Sequence, residues 1–490
     1  MRETIGNGEA GKEGIVMKEV RKTKIVCTIG PACEKEDMLE KMMLAGMDVV
    51  RFNFSHGTLE DQKERLERVR RVAEKLALPV AMLMDTKGPE IRLRDFINGK
   101  EMLQRGQTFA LTTEEMMGTA ERATITYKNL KNDVSVGTHI LIDDGKVEMV
   151  AREITDTDII CEVITGGRVS NHKGVNVPGV ELSMPYINEV DDSDIRFAAQ
   201  HKYDFIAASF VRCKEDVLAI RKILDEYGSR MKIISKIENM QGIKNLDEIL
   251  EVSDGVMVAR GDMGVEVSME EIPILQKEMI KKAVAQGKHV ITATQMLESM
   301  VSNPRPTRAE TTDVANAIFD GTTAIMLSGE SAAGEYPVEA VETMSRIALR
   351  TEQNINYAGR MRRSEYGVQM GITDAISHAT CETAADVGAA AILTVTMSGF
   401  TAEKISRYKP SCPIVAFTTT QEVCRQMNLL CGVKPFLIAE DKSADHLFET
   451  ALKTAREAGF VQEGDKVVLT AGLPLGVAGN TNMIRVVEIE

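Results

Sequence analysis

The sequence predicts an α/β protein: a (β/α)8 TIM barrel with a small β-barrel lid domain inserted into it and a C-terminal open-sheet α/β domain. Three observations predict this architecture. Short apolar, β-rich runs recur eight times, usually followed by an amphipathic stretch, which is the alternation of parallel βα units. More than a hundred residues, Gly88 to Tyr203, separate the third run from the fourth, far beyond a βα connection. After residue 350 a new strand and helix alternation begins. At roughly 150 residues per domain, the 490 residues suit about three domains. The expected boundaries are a tail at 1–20, the barrel at 21–88 and 186–350, the inserted β domain at 89–185 and the C-terminal α/β domain at 351–490.

The tail holds one decoy. Gly6 to Lys12 fits G-x-x-x-x-G-K, but Glu13 replaces the magnesium-binding hydroxyl and no strand precedes the first glycine. It is read as a disordered tail, with too little apolar content for a secretion signal. The eight barrel runs are Lys24 to Gly30, Asp48 to Ser55, Val80 to Lys87, Asp204 to Phe210, Lys232 to Asn239, Gly255 to Asp262, His289 to Met296 and Ala324 to Glu330. Between the second and third, Leu66, Val69, Ala73 and Leu76 recur at three- and four-residue steps, the apolar stripe of a helix. In the insertion, Asp144-Gly145 marks a hairpin within His139 to Val150, and Ala123 to Tyr127 and Ile159 to Ile164 read as strands. Pro89 and Pro185 stand near the hinges. The last domain reads helix Asp374 to Ala385, strand Ala391 to Val395, helix Ala402 to Arg407, strand Ile414 to Thr418 and strand Lys466 to Thr470.

Composition removes several function classes. The net charge of −14 repels nucleic acid and anionic lipid, and no apolar run reaches the ~18 residues of a membrane span. An anionic ligand therefore needs a local cationic cluster. The eight cysteines form no C-x-x-C pair and sit mostly in apolar runs, which predicts reduced core thiols and a cytoplasmic protein.

In a (β/α)8 barrel, chemistry gathers at the C-terminal ends of the strands. Alternation along the second strand puts Arg51, Asn53 and Ser55 on one face, and the third strand brings Asp85, Lys87 and Arg92 toward the same rim. Lys236 and Glu238, two apart in the fifth strand, share a face of an otherwise apolar run. A buried lysine is costly unless it is paired or faces a ligand. The sixth strand supplies Gly261 and Asp262, with glycines that let a ligand approach backbone N–H groups. Glu238 and Asp262 suit Mg²⁺ (or Mn²⁺), which takes one or two protein carboxylates. Thr292 and Thr294 on the seventh strand and Ser328 and Glu330 on the eighth add hydroxyls and a carboxylate placed to relay a proton. His139, His172, His289 and His378 lack ligand spacing and read as structural or surface residues. The kit supports phosphoryl or enolate chemistry on a small anionic substrate.

These motifs, with Asn303 to Glu310 and Met326 to Tyr336, closely resemble the pyruvate kinase family from about Val20 onward. The most specific pieces are Lys232 to Gln241, Gly255 to Glu266 and Thr292 to Glu310. The resemblance implies phosphoryl transfer from phosphoenolpyruvate to ADP, giving ATP and pyruvate, the final step of glycolysis. It implies that Arg51 and Lys236 neutralise the phosphoryl group, and that Glu238 and Asp262 hold the divalent metal. Gly261, Asp262 and Thr294 would hold the substrate carboxylate. Asn53, Ser55, Asp85 and Thr86 match the family's potassium ligands, and Glu90 its position tied to K⁺ dependence. His56, Arg92 and Asn53 match nucleotide contacts, and Thr294 with water, backed by Ser328 and Glu330, matches the proton donor. Asn188-Glu189-Val190-Asp191 departs from the pattern, lacking a lysine that many relatives carry at the return hinge.

Thr396, Ser398, Gly399 and Thr401 resemble the family's effector phosphate loop, and the stretch from Gly472 to Asn482 fits the same site. Phe400 stands where some relatives are basic, so a sugar monophosphate or AMP is as open a reading of the effector as fructose bisphosphate. The family further implies a homotetramer, and the chain shows no phosphohistidine-like extension. Two other readings compete. A barrel lyase or aldolase would release pyruvate without ATP, and a silent metabolite sensor would have lost Lys236, Glu238, Asp262, Thr294 and Arg51, all of which are present.

Overall fold

The computed structural model describes residues 20–363, 371–441, 443–474 and 479–490. The tail, with its Gly6 to Lys12 motif, lies outside the described residues. Eight parallel strands close one ring in chain order: Lys24–Thr28, Val49–Asn53, Ala81–Asp85, Phe205–Ala208, Lys232–Ile237, Gly255–Ala259, His289–Ala293 and Ala324–Leu327. The ring shuts where Lys24 lies beside Ala324. Both faces of each strand are covered, so the runs are continuously apolar. Ile233 and Ile237 pack outward against the helices, while Ile234, Met257 and Ile291 fill the lumen.

The outer helices obey local rules. Leu59–Lys75 starts at Thr58, whose hydroxyl accepts from the Asp61 amide while Asp61 answers the Thr58 amide, a reciprocal cap. It buries Leu66, Val69, Val72 and Ala73, each large side chain contributing about 1.5–3 kcal/mol; Leu76 falls on its C-cap.

Each expected run contains its strand, and most overshoot it at the rim. The sixth stops at Ala259, where Arg260–Glu266 turns into a helix; the eighth stops at Leu327, followed by a helical turn at Gly329–Ala332. Beyond the last paired residue no neighbouring strand remains to bond with, so the backbone satisfies itself by turning. Gly261 and Asp262 consequently lie in a first helical turn rather than on a strand.

The insertion encloses its own core, with Leu93, Phe109, Ile140 and Met149 fully buried. Its ladders form a six-stranded sheet and a separate two-stranded ribbon, Lys100–Leu103 with Gly167–Ser170. The hairpin is present: His139–Ile142 pairs antiparallel with Val147–Ile154. Its turn takes Asp143, Asp144 and Gly145 through positive φ, and Lys146 and Lys173 hold the Asp143 carboxylate.

The C-terminal domain is a five-stranded sheet with helices on both faces and one antiparallel edge. The two expected helices run Ile372–Asp386 and Phe400–Ser406, each starting two residues before its expected position, and Gln421–Met427 and Ala444–Glu457 add two that were not expected. Strands Val433–Leu437 and Met483–Glu488 were not expected. The first contains Pro435, which a ladder tolerates only at an edge, and both are edge strands.

Candidate active site

The rim is organised around one carboxylate. Asp85 ends the third strand with its side chain 1 % exposed; its Oδ2 accepts from Arg51 Nε at 2.6 Å, and its Oδ1 from Lys236 Nζ at 3.1 Å. Lys236 Nζ also reaches Glu238 Oε1 at 2.9 Å and donates to Ser209 Oγ at 2.7 Å. Thr28 Oγ1 accepts from Arg51 Nη1 at 2.9 Å, fixing the other end of that guanidinium. Two cations from different strands are thereby aimed at one spot.

The electrostatics follow the geometry. Burial opposes the charge on Asp85, but Arg51 and Lys236 outweigh it and hold the carboxyl below its ordinary range. Burial likewise opposes the charge on Lys236, and Asp85, Glu238 and Asp262 overcome it, so the ammonium titrates above its usual value. Glu238 differs: burial, reinforced by Asp262, exceeds the pull of Lys236 and pushes its pKa up to about 8. Its Oε2 accepts only the Phe210 amide, at 2.6 Å. A buried carboxylate short of positive charge, with a second carboxylate nearby, is a fitting seat for a hard divalent cation. No group of three or more His, Cys, Asp or Glu side chains able to hold a metal forms among the described residues.

Gly261 and Thr294, expected to hold the substrate carboxylate, are brought together. Thr294 Oγ1 accepts from the Gly261 amide at 2.8 Å. Thr294 has φ 67° and Gln295 φ 53°; a β-branched residue in the left-handed region is a true outlier, held at a cost of order 1–3 kcal/mol. Arg260 holds it there, donating to the Thr294 carbonyl at 2.7 Å while gripping Asp313 through both carboxylate oxygens.

The eighth strand departs from expectation. Glu330, read as a rim carboxylate, is fully enclosed: Oε1 accepts the Leu297 amide at 3.0 Å and Oε2 the Ser328 amide at 2.8 Å. The turn after Leu327 swings its side chain behind the rim, so it braces two rim loops instead of facing the mouth. The Ser328 hydroxyl is likewise enclosed and makes no hydrogen bond among the described residues.

The potassium-type residues sit together at the second and third strands. Asn53 Oδ1 accepts the Ser55 amide at 3.0 Å, and the Thr86 carbonyl accepts from Ser209 Oγ at 2.7 Å. Gly88, at φ 74°, passes so close to Ser209 that a Cβ would lie 2.9 Å from that side chain. The nucleotide-type residues are less concentrated. Arg92 is held by Glu90, with Nε to Oε2 at 2.7 Å, and donates to the His172 carbonyl; His56 is exposed on its loop. A cavity of about 340 Å³ between lid and barrel is lined by Arg92, Lys244, Asp262 and Glu266 but not by Asn53 or His56. At the return hinge, Asn188 caps the helix Glu189–Gln200 and Val190 is 49 % exposed.

In the C-terminal domain, Gly399 at φ 80° turns the chain into the helix Phe400–Ser406. Thr396 and Thr401 are buried, Ser398 is exposed, and Thr401 Oγ1 lies 2.9 Å from Thr481 Oγ1. The 472–482 loop thus meets this turn, although residues 475–478 lie outside the described residues. His139 pairs with Glu148, His172 with Asp95, His289 is buried, and His378 packs on Tyr408. All eight cysteines are free.

Sequence reasoning missed Ser209, Thr28, Arg260 and the Phe210 amide. Ser209 carried a signal: a lone hydroxyl at the C-terminal end of the apolar run Ile206-Ala207-Ala208. Thr28 and Arg260 act through partners far along the chain, which spacing does not reveal.

Fold and rim define a class: a barrel enzyme of phosphoryl transfer, with two cations from different strands fixed on one buried carboxylate. The chain matches the family models described as pyruvate kinase barrel domain over residues 20–341 and pyruvate kinase alpha/beta domain over 374–487. It is 49 % identical to pyruvate kinase of Clostridium acetobutylicum over 473 residues, 96 % of this chain and all of that one. It is also 49 % identical to pyruvate kinase of Staphylococcus aureus, across 95 % of this chain and 80 % of that one. A solved pyruvate kinase from Cryptosporidium parvum superposes with TM-score 0.91 at 39 % identity, covering 96 % of each chain. The chain belongs to the pyruvate kinase family, and is a phosphotransferase.

Proposed function

We propose that Arg51 and Lys236 steady the phosphoryl group while it passes from phosphoenolpyruvate to ADP, giving pyruvate and ATP. The observation that carries this is the convergence of both cations on Asp85, with Lys236 also within 2.9 Å of Glu238. The bond from phosphorus to the enol oxygen breaks and a bond to the terminal phosphate oxygen of ADP forms. Charge spreads over the transferring oxygens, where pre-aimed ammonium and guanidinium groups are worth most. Gly261 and Thr294 orient the substrate carboxylate.

Glu238 and Asp262 would hold Mg²⁺ or Mn²⁺, which when bound supplies positive charge to substrate oxygens. Asn53, Ser55, Asp85 and Thr86 would hold K⁺, their hard oxygen donors suiting it. The enolate left behind takes a proton at carbon from water beside Thr294, with Ser328 and Glu330 shaping that wall. His56, Arg92 and Asn53 contact the nucleotide, and the 89–185 lid excludes water that would intercept the phosphoryl group. A phosphorylated effector would bind at Thr396, Ser398, Gly399 and Thr401, where the buried hydroxyls of Thr396 and Thr401 meet a helix start. A homotetramer in the cytoplasm completes the reading; free cysteines support the compartment, and no described helix is long and apolar enough to cross a membrane.

The test follows pyruvate release with ADP, K⁺ and Mg²⁺ each withheld in turn. Loss of turnover on each omission is expected. Pyruvate formation that ignores ADP would replace this reading with a lyase.

A further inference from the structure

The floor of the barrel is built partly by the C-terminal domain. Leu429, far outside the barrel in sequence, is fully buried in the lumen cluster with Ile234, Met257 and Phe205. Around it the C-terminal domain grips four strands. Lys24 Nζ donates to the Val433 carbonyl at 2.7 Å, and Asn428 Nδ2 to the Asp48 carbonyl at 2.9 Å. Arg425 Nε lies 2.9 Å from Asp204 Oδ1, and Lys232 Nζ lies 2.7 Å from Glu403 Oε2.

The fourth grip differs from the others in what its strand carries. Lys232 opens the fifth strand, and period two aligns Lys232, Ile234, Lys236 and Glu238 on the lumen side. At about 3.3 Å per residue, Lys236 stands roughly 13 Å above Lys232. The Lys232–Glu403 pair is partly buried, with side chains 20 % and 31 % exposed. Asp254 frames it, accepting the Ile233 amide at 2.8 Å and pairing with Arg221 at 2.7 Å. Burial opposes both charges, yet each outweighs it for the other: Lys232 titrates above its usual value and Glu403 below. Glu403 itself lies in the helix Phe400–Ser406, directly after the Thr396 to Thr401 turn.

We propose that Glu403 is a positioning residue for the reaction: its ion pair with Lys232 fixes the height of the fifth strand and so places Lys236 and Glu238 at the mouth. Catalytic groups must be held within about 0.5 Å of their working geometry, and a close-packed strand pinned at its base transmits displacement instead of absorbing it. Leu429 seals the lumen beside Ile234, so the strand has packed support but no other ionic anchor to the C-terminal domain among the described residues. The proposal rests on the roles given to Lys236 and Glu238, and does not need the 396–401 turn to bind an effector.

The test uses the full chain without added phosphorylated compounds. Glu403→Gln, Lys232→Met, their double variant and the charge-keeping Lys232→Arg are compared by kcat, KM for phosphoenolpyruvate, Mn²⁺ affinity by electron paramagnetic resonance, and thermal midpoint. Glu403→Gln is expected to raise KM and weaken Mn²⁺ binding about fivefold or more; Lys232→Met should do the same and the double variant no more than either single one. Lys232→Arg, which keeps the ion pair with Glu403, should retain most of the wild-type KM and Mn²⁺ affinity. KM and Mn²⁺ affinity within twofold of wild type in Glu403→Gln, independent effects in the double variant, or a loss in Lys232→Arg as large as in Lys232→Met would each overturn it. If these variants behave as wild type while Lys236→Met abolishes turnover, the positioning role fails and the assignment of Lys236 stands.

Discussion

Lys236→Met isolates the charge on which the site depends. The replacement has similar length and leaves the lumen packed, so the loss is chiefly of the ammonium. Lys236 Nζ sits 2.9 Å from Glu238, 3.1 Å from Asp85 and 2.7 Å from Ser209, and both carboxylates are 1 % exposed. Removing it leaves two buried carboxylates with Arg51 alone. Deleting one partner of a buried pair costs about 3–5 kcal/mol. Glu238, whose pKa is already pushed up to about 8, relieves part of this by taking a proton near neutral pH. Stability is therefore expected to fall by about 3 kcal/mol, the lower end of that range. The rate suffers separately, since losing one donor aimed at charge that develops in the transition state costs about 10²–10³ in kcat. With the Asp85 charge then opposing the incoming phosphoryl group, the fall should reach at least ~10³. The assay is pyruvate formation coupled to NADH oxidation at saturating phosphoenolpyruvate, ADP, Mg²⁺ and K⁺, alongside urea unfolding. A folded Lys236→Met enzyme turning over within tenfold of wild type would refute the reasoning.

Three further outcomes follow from other contacts. Glu330→Gln replaces one of the two carboxylate oxygens, each accepting a buried backbone amide, by an NH2 that can only donate, so urea unfolding should show a loss of about 1–3 kcal/mol with kcat within tenfold; full stability with a hundredfold loss of kcat would return Glu330 to a proton relay. His289 is buried with its pKa pushed down to about 4. Its unfolded form takes a proton first as pH falls, so its contribution is complete above about 6.5 and about 3 kcal/mol is lost by about pH 4, a loss that His289→Asn should remove from the pH dependence of unfolding. Glu90→Lys should relax the potassium requirement, read from the K⁺ activation curve, and release Arg92, raising KM for ADP; an unchanged K⁺ curve would count against the cation assignment.

What the sequence revealed depended on how local each cause was. The eight strands were readable because a strand covered on both faces must be continuously apolar, and Lys236 stood out because a lysine inside such a run needs a partner. The helix at Arg260–Glu266 was hidden, since where the ladder ends depends on neighbouring strands. Glu330 looked like a rim group from its place after Leu327, and only the helical turn there shows that it faces inward. Ser209 was within reach of the same logic that found Lys236. Thr28, Arg260, Leu429 and Glu403 were not, because each acts on residues dozens to hundreds of positions away. The strands containing Pro435 and Arg485 lay at sheet edges, where half-exposed faces blur the apolar pattern.

The most direct measurement is a crystal structure of the enzyme with Mn²⁺ and phosphoenolpyruvate, ADP being withheld so that transfer cannot proceed. The account predicts an anomalous manganese peak ligated by Glu238 and Asp262, with the phosphoryl oxygens in contact with Lys236 Nζ and the Arg51 guanidinium. Manganese bound elsewhere, or a phosphoryl group lying beyond reach of both cations, would contradict it.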